Sequence, residues 1–122
     1  MWGCEIWGKE GTVKTFFDGI FVSQKSLEEA GIEYPIKLEY YKTFEVENVE
    51  KNFGIEIVKT EYIEGSTKVE AKEVKNITGD EKKENEILNL LIKNEVTPIG
   101  VEDVLEDLLI QEQYIEKQKC KI

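Results

Sequence analysis

Four carboxylates crowd into a short stretch of this chain: Glu102, Asp103, Glu106 and Asp107. They form two like-charge pairs, Glu102/Glu106 and Asp103/Asp107, each four residues apart. On a helix such pairs share a face and cost about 0.2–0.5 kcal/mol each. Carboxylates so placed suit three kinds of chemistry: attraction of a cationic partner, binding of a hard divalent cation, or paired acid–base work. Nothing nearby resembles a dedicated calcium loop. Acid–base work requires a cleft that raises a carboxyl pKa. A fourth account is purely structural, since acids in the first turns of a helix offset the positive end of its dipole.

Absent residue types exclude more than any motif proves. The chain has 122 residues, with 26 acids against 16 basic residues and a formal charge of −10. Every basic residue is Lys. Without His there is no Ser-His or Cys-His couple and no imidazole metal ligand. Without Arg there is no guanidinium fork for phosphate or guanine. The Lys residues are scattered among acids, which disfavours direct nucleic-acid binding. Cys4 and Cys120 form no C-x-x-C and read as two free thiols in a reducing cytosol. There is no signal-peptide pattern and no apolar run long enough to span a bilayer. The sequence assigns no catalytic residue, cofactor-binding residue, cofactor or metal. The expected protein is cytoplasmic.

The elements that must position the four acids follow from pattern. Thr97 suits a helix cap and Pro98 the first helical position. Val101, Val104, Leu105 and Leu108 then recur at helical spacing. The stripe should face inward and leave the acids in water, in a helix running to about Gln118. Upstream, Thr78-Gly79-Asp80-Glu81 reads as a capping box with Thr78 as cap. It opens a helix over 79–94 that buries Ile87, Leu88, Leu91 and Ile92, a face that Leu90 extends.

The first half reads as strands. Thr12–Phe17 and Ile20–Ser23 flank Asp18-Gly19, a strong hairpin signal that would set Phe17 opposite Ile20 and Phe16 opposite Phe21. The aromatics Trp2, Trp7, Phe16, Phe17 and Phe21 are expected to pack in a core or interface. Residues 24–31 form a short helix capped by Ser23 or Ser26. A long strand over 34–46 puts Ile36, Leu38, Tyr40, Phe44 and Val46 on one face, and Lys42 breaks the pattern, suggesting a bulge or an edge. Residues 53–64 and 67–77 form a second hairpin. Charge favours a three-residue loop, Gly65-Ser66-Thr67, because it sets Lys59 opposite Glu73 and avoids Lys59 opposite Lys72.

Strands followed by two helices argue an α+β fold: an antiparallel sheet built from β-hairpins, with a C-terminal two-helix hairpin packed on one face. The expected organisation is a single domain over 1–122. It divides into a hairpin and short helix over 1–31, the sheet over 34–77 and the helical hairpin over 78–118.

From about Tyr34 to Leu109 the chain resembles a family of small uncharacterised proteins of spore-forming Firmicutes. The resemblance rests on Phe53-Gly54-Ile55-Glu56-Ile57, on Asn76-Ile77-Thr78, and on Val96-Thr97-Pro98 with Asp103-Val104, Glu106-Asp107 and Leu109. Gly100 stands where that family carries a larger residue, often His. The resemblance brings no activity with it.

These observations favour a non-enzymatic, acidic protein–protein interaction or regulatory module. Its partner-binding residues would be Glu102, Asp103, Glu106 and Asp107, and its partner an unidentified protein, a basic one by charge. No membrane partner is expected, and a homodimer is compatible with the sequence. The alternative is an acidic inhibitor that mimics nucleic-acid charge and blocks a DNA- or RNA-binding protein, as anti-defence or phage proteins do. A carboxylate-based enzyme or metal site ranks third.

Overall fold

The structure is a computed structural model that describes residues 11–46 and 52–108. The described elements are β1 (Thr12–Phe21), α1 (Gln24–Glu29), β2 (Ile36–Glu45), β3 (Phe53–Ile63), β4 (Ser66–Thr78) and α2 (Glu81–Lys93). A further helix, α3, covers 101–108. The four strands form one antiparallel sheet in the order β1-β2-β3-β4. Its covered face supplies Leu38, Tyr40, Ile55 and Ile57 to a core completed by Ile87, Leu88 and Leu91 of α2 and by Val101 and Leu105 of α3. The fold is α+β, as the order of elements suggests.

Asp18-Gly19 does not turn the chain. β1 continues through it, paired with β2 from Thr12↔Glu45 to Phe21↔Lys37, with a bulge between Phe16 and Asp18. The Asp18 carboxylate accepts the Gly19 N–H at 2.8 Å, so the dipeptide's turn chemistry bends an edge strand instead. The extra residue, Phe17, packs against the core together with Ile20. Phe16 and Phe21 lie on the opposite face, 54% and 61% exposed. They are not core residues, and they meet Tyr41 and Tyr62 at ring separations of 5.5 and 6.3 Å. Trp2, Trp7, Cys4, Cys120 and the expected helix beyond residue 108 lie outside the described residues.

Lys42 marks neither an edge nor a bulge in its own strand. β2 is interior, and Lys42 pairs with Ile55 in an unbroken ladder. The irregularities sit on the two outer strands. On β4, residues 75–77 face the single residue Gly54, and Asn76 takes a positive φ of 58°. The Val74 carbonyl and Lys75 Cα close over Gly54 so tightly that a Cβ there would collide with the Val74 oxygen. Thr43, opposite Gly54, is buried there despite its place on the expected polar parity.

The β3–β4 hairpin turns at Glu64-Gly65, with Gly65 at φ 86°. Ile63 pairs with Ser66, so Lys59 faces Glu70 and not Glu73. The three-residue loop was the wrong way to satisfy charge. Moving the turn one residue earlier frees Gly65 for the left-handed position and pairs Glu61 with Lys68 as well. It leaves Glu56 opposite Glu73.

α2 is capped by Asp80, whose carboxylate accepts the Lys82 N–H at 3.0 Å. Thr78 cannot serve as the cap because it still belongs to β4; its hydroxyl accepts the Asp80 N–H at 3.1 Å instead. Leu90 is 43% exposed and does not extend the buried face. Among the described residues no helix is long and apolar enough to cross a membrane.

Candidate functional site

α3 begins later than Thr97-Pro98 suggests. Residues 98–100 form a turn in which the Gly100 N–H donates to the Thr97 carbonyl at 3.1 Å. The Gly100 carbonyl then accepts the first helical bond, from Val104 at 3.2 Å, so Gly100 occupies the cap position. Pro98 is buried within the turn. Val101 and Leu105 are fully buried, whereas Val104 and Leu108 are half-buried. Glu102, Asp103, Glu106 and Asp107 are all exposed. Burying the two fully enclosed side chains contributes roughly 1.5–3 kcal/mol each, while burying an unpaired carboxylate would cost several. The helix therefore settles with its acids outward. The Glu102/Glu106 pair stands on an open surface, not in a cleft.

The position of α3 is fixed by a network that spacing in sequence did not reveal. The Tyr40 hydroxyl, buried in the sheet, donates to the Val96 carbonyl at 2.8 Å. Burial, and then the negative charge of Glu95, push the Tyr40 pKa upward and keep that hydroxyl a donor. Glu95, in the left-handed region at φ 52°, reaches across to α1. Its carboxylate accepts the Ser23 N–H at 2.8 Å and the Ser26 hydroxyl at 2.7 Å. The Ser26 hydrogen bond, followed by those from Ser23, holds the Glu95 carboxyl below the ordinary carboxylate range against the effect of burial. Ser23 is also the cap of α1. Two segments 72 residues apart are thereby clamped at the turn that launches α3.

Beside the acids lies an open groove of about 380 Å³ walled by Glu70, Ala71, Lys72, Pro98, Ile99 and Glu102. Ile99 is 78% exposed at its rim. Glu102 meets Lys72 across it at 3.3 Å, with both side chains largely in water. Such a pair contributes little, on the order of 0–1 kcal/mol. Asp103, Glu106 and Asp107 are not among the groove's lining residues.

A fifth carboxylate was missed. Glu84 of α2 is 1% exposed, and neither of its carboxyl oxygens makes a hydrogen bond among the described residues. Asn85 Oδ1 is likewise buried and unbonded. Burial pushes the Glu84 carboxyl up to about 7, and nearby Glu81 adds to the rise. The Lys42 ammonium opposes it, as does the Thr43 backbone, which lies near without reaching hydrogen-bonding geometry. Lys42 itself is engaged by Glu81 at 2.6 Å. The available signal was position: Glu84, Ile87, Leu88 and Leu91 fall on one helical stripe. Among the described residues no three Cys, Asp or Glu side chains gather as a metal ion would require.

Residues 19–111 match the profile of a family of unknown function, DUF6514. No curated protein and no solved structure matches the chain significantly. The match begins inside β1 and runs past the described part of α3, a wider span than the strand and helix motifs alone. On that match the chain belongs to the DUF6514 family of proteins of unknown function.

Proposed function

We propose that this protein is a non-enzymatic interaction module that works in the cytosol of a spore-forming Firmicute and holds a cationic protein partner against α3. The observation that carries the reading is the arrangement of one helix. Val101 and Leu105 are buried, and Glu102, Asp103, Glu106 and Asp107 all stand in water on its other side. The clamp from Tyr40 and Glu95 supports it by presenting these acids from a fixed base, which lowers the entropic cost of binding. Exposed Ile99 beside the acids offers an apolar contact of the kind that interfaces combine with a charged rim.

Capture from the native host's lysate tests the proposal. Wild-type protein and a Glu102→Gln/Glu106→Gln variant serve as baits across a salt series. A specific partner should be recovered by the wild type and lost from the variant, with the largest difference at low salt, where charge attraction is least screened. Equal recovery by both baits at every salt concentration would overturn the reading and leave the acids as helix-dipole partners only.

A further inference from the structure

The two edges of the sheet are built differently. β1 is broken by the Phe17 bulge, a common device for blunting an edge. β4 pairs with β3 in unbroken register from Ser66 to Val74, and no strand covers its outer side among the described residues. The described helices also stop short of it: the groove beside Pro98 and Ile99 opens along Glu70, Ala71 and Lys72 of this edge. A regular, uncovered edge is a template for another strand.

We propose that the occupant is a second copy of the chain, pairing β4 with β4 antiparallel across a two-fold axis at Ala71 and joining two four-stranded sheets into one. A two-fold axis normal to the sheet places each residue opposite one of the same face, which restricts the choice of centre. Centring on Ala71 sets Glu70 opposite the partner's Lys72 on both sides of the axis. It also sets Val69 opposite the partner's Glu73, Lys68 opposite the partner's Val74 and Thr67 opposite the partner's Lys75. No like charges meet. Centring on Glu70 would oppose Lys68 and Lys72, and centring on Lys72 would oppose that lysine to itself, both unfavourable. Centring on Val69 is also charge-compatible and gives a ladder of equal length within Ser66–Val74, but it sets Lys72 opposite the partner's Ser66 and not opposite a carboxylate.

The Ala71 register also extends contacts already present. Glu70 bonds Lys59 at 3.0 Å and Lys72 meets Glu102 at 3.3 Å. Pairing the edges continues these into an alternating series: Lys59, Glu70, the partner's Lys72, the partner's Glu102. Both copies of the exposed Ile99 then lie on the helix-bearing face of the joined sheet, one on each side of the axis. This interface leaves Asp103, Glu106 and Asp107 outside it but shares Glu102 and Ile99 with the proposed partner face, so dimerisation is read on the purified chain alone, where failure of partner capture has no bearing.

Only Ala71 lies opposite itself in this register, and cysteine cross-linking tests that directly. In a Cys4→Ser/Cys120→Ser background, Ala71→Cys should oxidise to a disulfide-linked dimer, since opposed Cα atoms about 4.5–5.5 Å apart are within disulfide reach. Val69→Cys should stay monomeric, because its counterpart is displaced by about 14 Å along the strand. Both sites are exposed, so folding should be preserved, and circular dichroism checks it. In sedimentation equilibrium the unmodified chain should show a concentration-dependent dimer, weakened about tenfold by Lys72→Glu, which opposes Glu70 to a new carboxylate. A chain that remains monomeric to millimolar concentration would overturn the proposal. So would Ala71→Cys cross-linking no better than Val69→Cys.

Discussion

Replacing Glu84 by Gln should stabilise the protein at neutral pH and do so by less than about 1 kcal/mol at pH 5. Glu84 is enclosed, its carboxyl oxygens make no hydrogen bond among the described residues, and its pKa is raised to about 7 from an ordinary 4.5. A carboxyl whose folded pKa is raised contributes most when it is protonated in both states, below about 4.5. That contribution is lost as pH rises through the folded value, because the unfolded chain releases its proton first. The difference corresponds to about 3 kcal/mol at 1.36 kcal/mol per pKa unit, a substantial part of a typical stability of about 5–15 kcal/mol. The absence of His leaves the window from pH 5 to 8 uncrowded by other side chains. Gln keeps the shape and removes the titration. Urea denaturation at intervals across this window should show wild-type stability falling toward pH 8 while Glu84→Gln stays nearly level. Their gap should widen from just under about 1 kcal/mol at pH 5 to about 3 kcal/mol at pH 8. Parallel curves would refute the reasoning and show that the site relaxes or hydrates on ionisation.

Two other substitutions probe the parts that hold the sheet and α3 together. Gly54→Ala should cost about 3 kcal/mol or more by thermal denaturation, because the methyl must displace the Val74 carbonyl and the β4 backbone cannot retreat cheaply. A loss below about 1 kcal/mol would mean that the bulge adapts. Tyr40→Phe should cost about 1–3 kcal/mol by leaving the buried Val96 carbonyl without its donor. It should also speed hydrogen exchange at the turn before α3; unchanged exchange there would remove Tyr40 from the clamp.

What the sequence made legible was periodicity. α2 buries Ile87, Leu88 and Leu91 and α3 buries Val101 and Leu105 from the stripes their spacing implies, and Ile36, Leu38 and Tyr40 alternate inward as a strand should. What it hid was competition between local signals and long-range pairing. Asp18-Gly19 carries hairpin chemistry, yet β2 supplies partners along both sides of it, and a bulge satisfies the dipeptide without reversing the chain. Thr78 heads a plausible capping box, but its backbone is already committed to pairing with Phe53. Charge pairing narrowed the β3–β4 register without fixing it, because Lys59 finds a Glu in more than one alignment and the turn's need for Gly65 at positive φ decides. The clamp of Glu95 on Ser23 and Ser26 joins segments that no periodicity connects. Glu84 was concealed by its type: a carboxylate on an apolar stripe reads as a solvated edge until the sheet is placed against it.

The contact made by the α3 acids tests the central claim most directly. A photo-cross-linking side chain placed at Asp103 or Asp107, in cells of the native host, would report which protein lies against that face. Positions Glu28 and Glu29 of α1 supply controls with exposed acids elsewhere on the molecule. The expected result is one discrete adduct from positions 103 and 107, lost when Glu102 and Glu106 are neutralised and missing from positions 28 and 29. The same adducts from all four positions, or none that depend on Glu102 and Glu106, would contradict a dedicated interaction face on this helix.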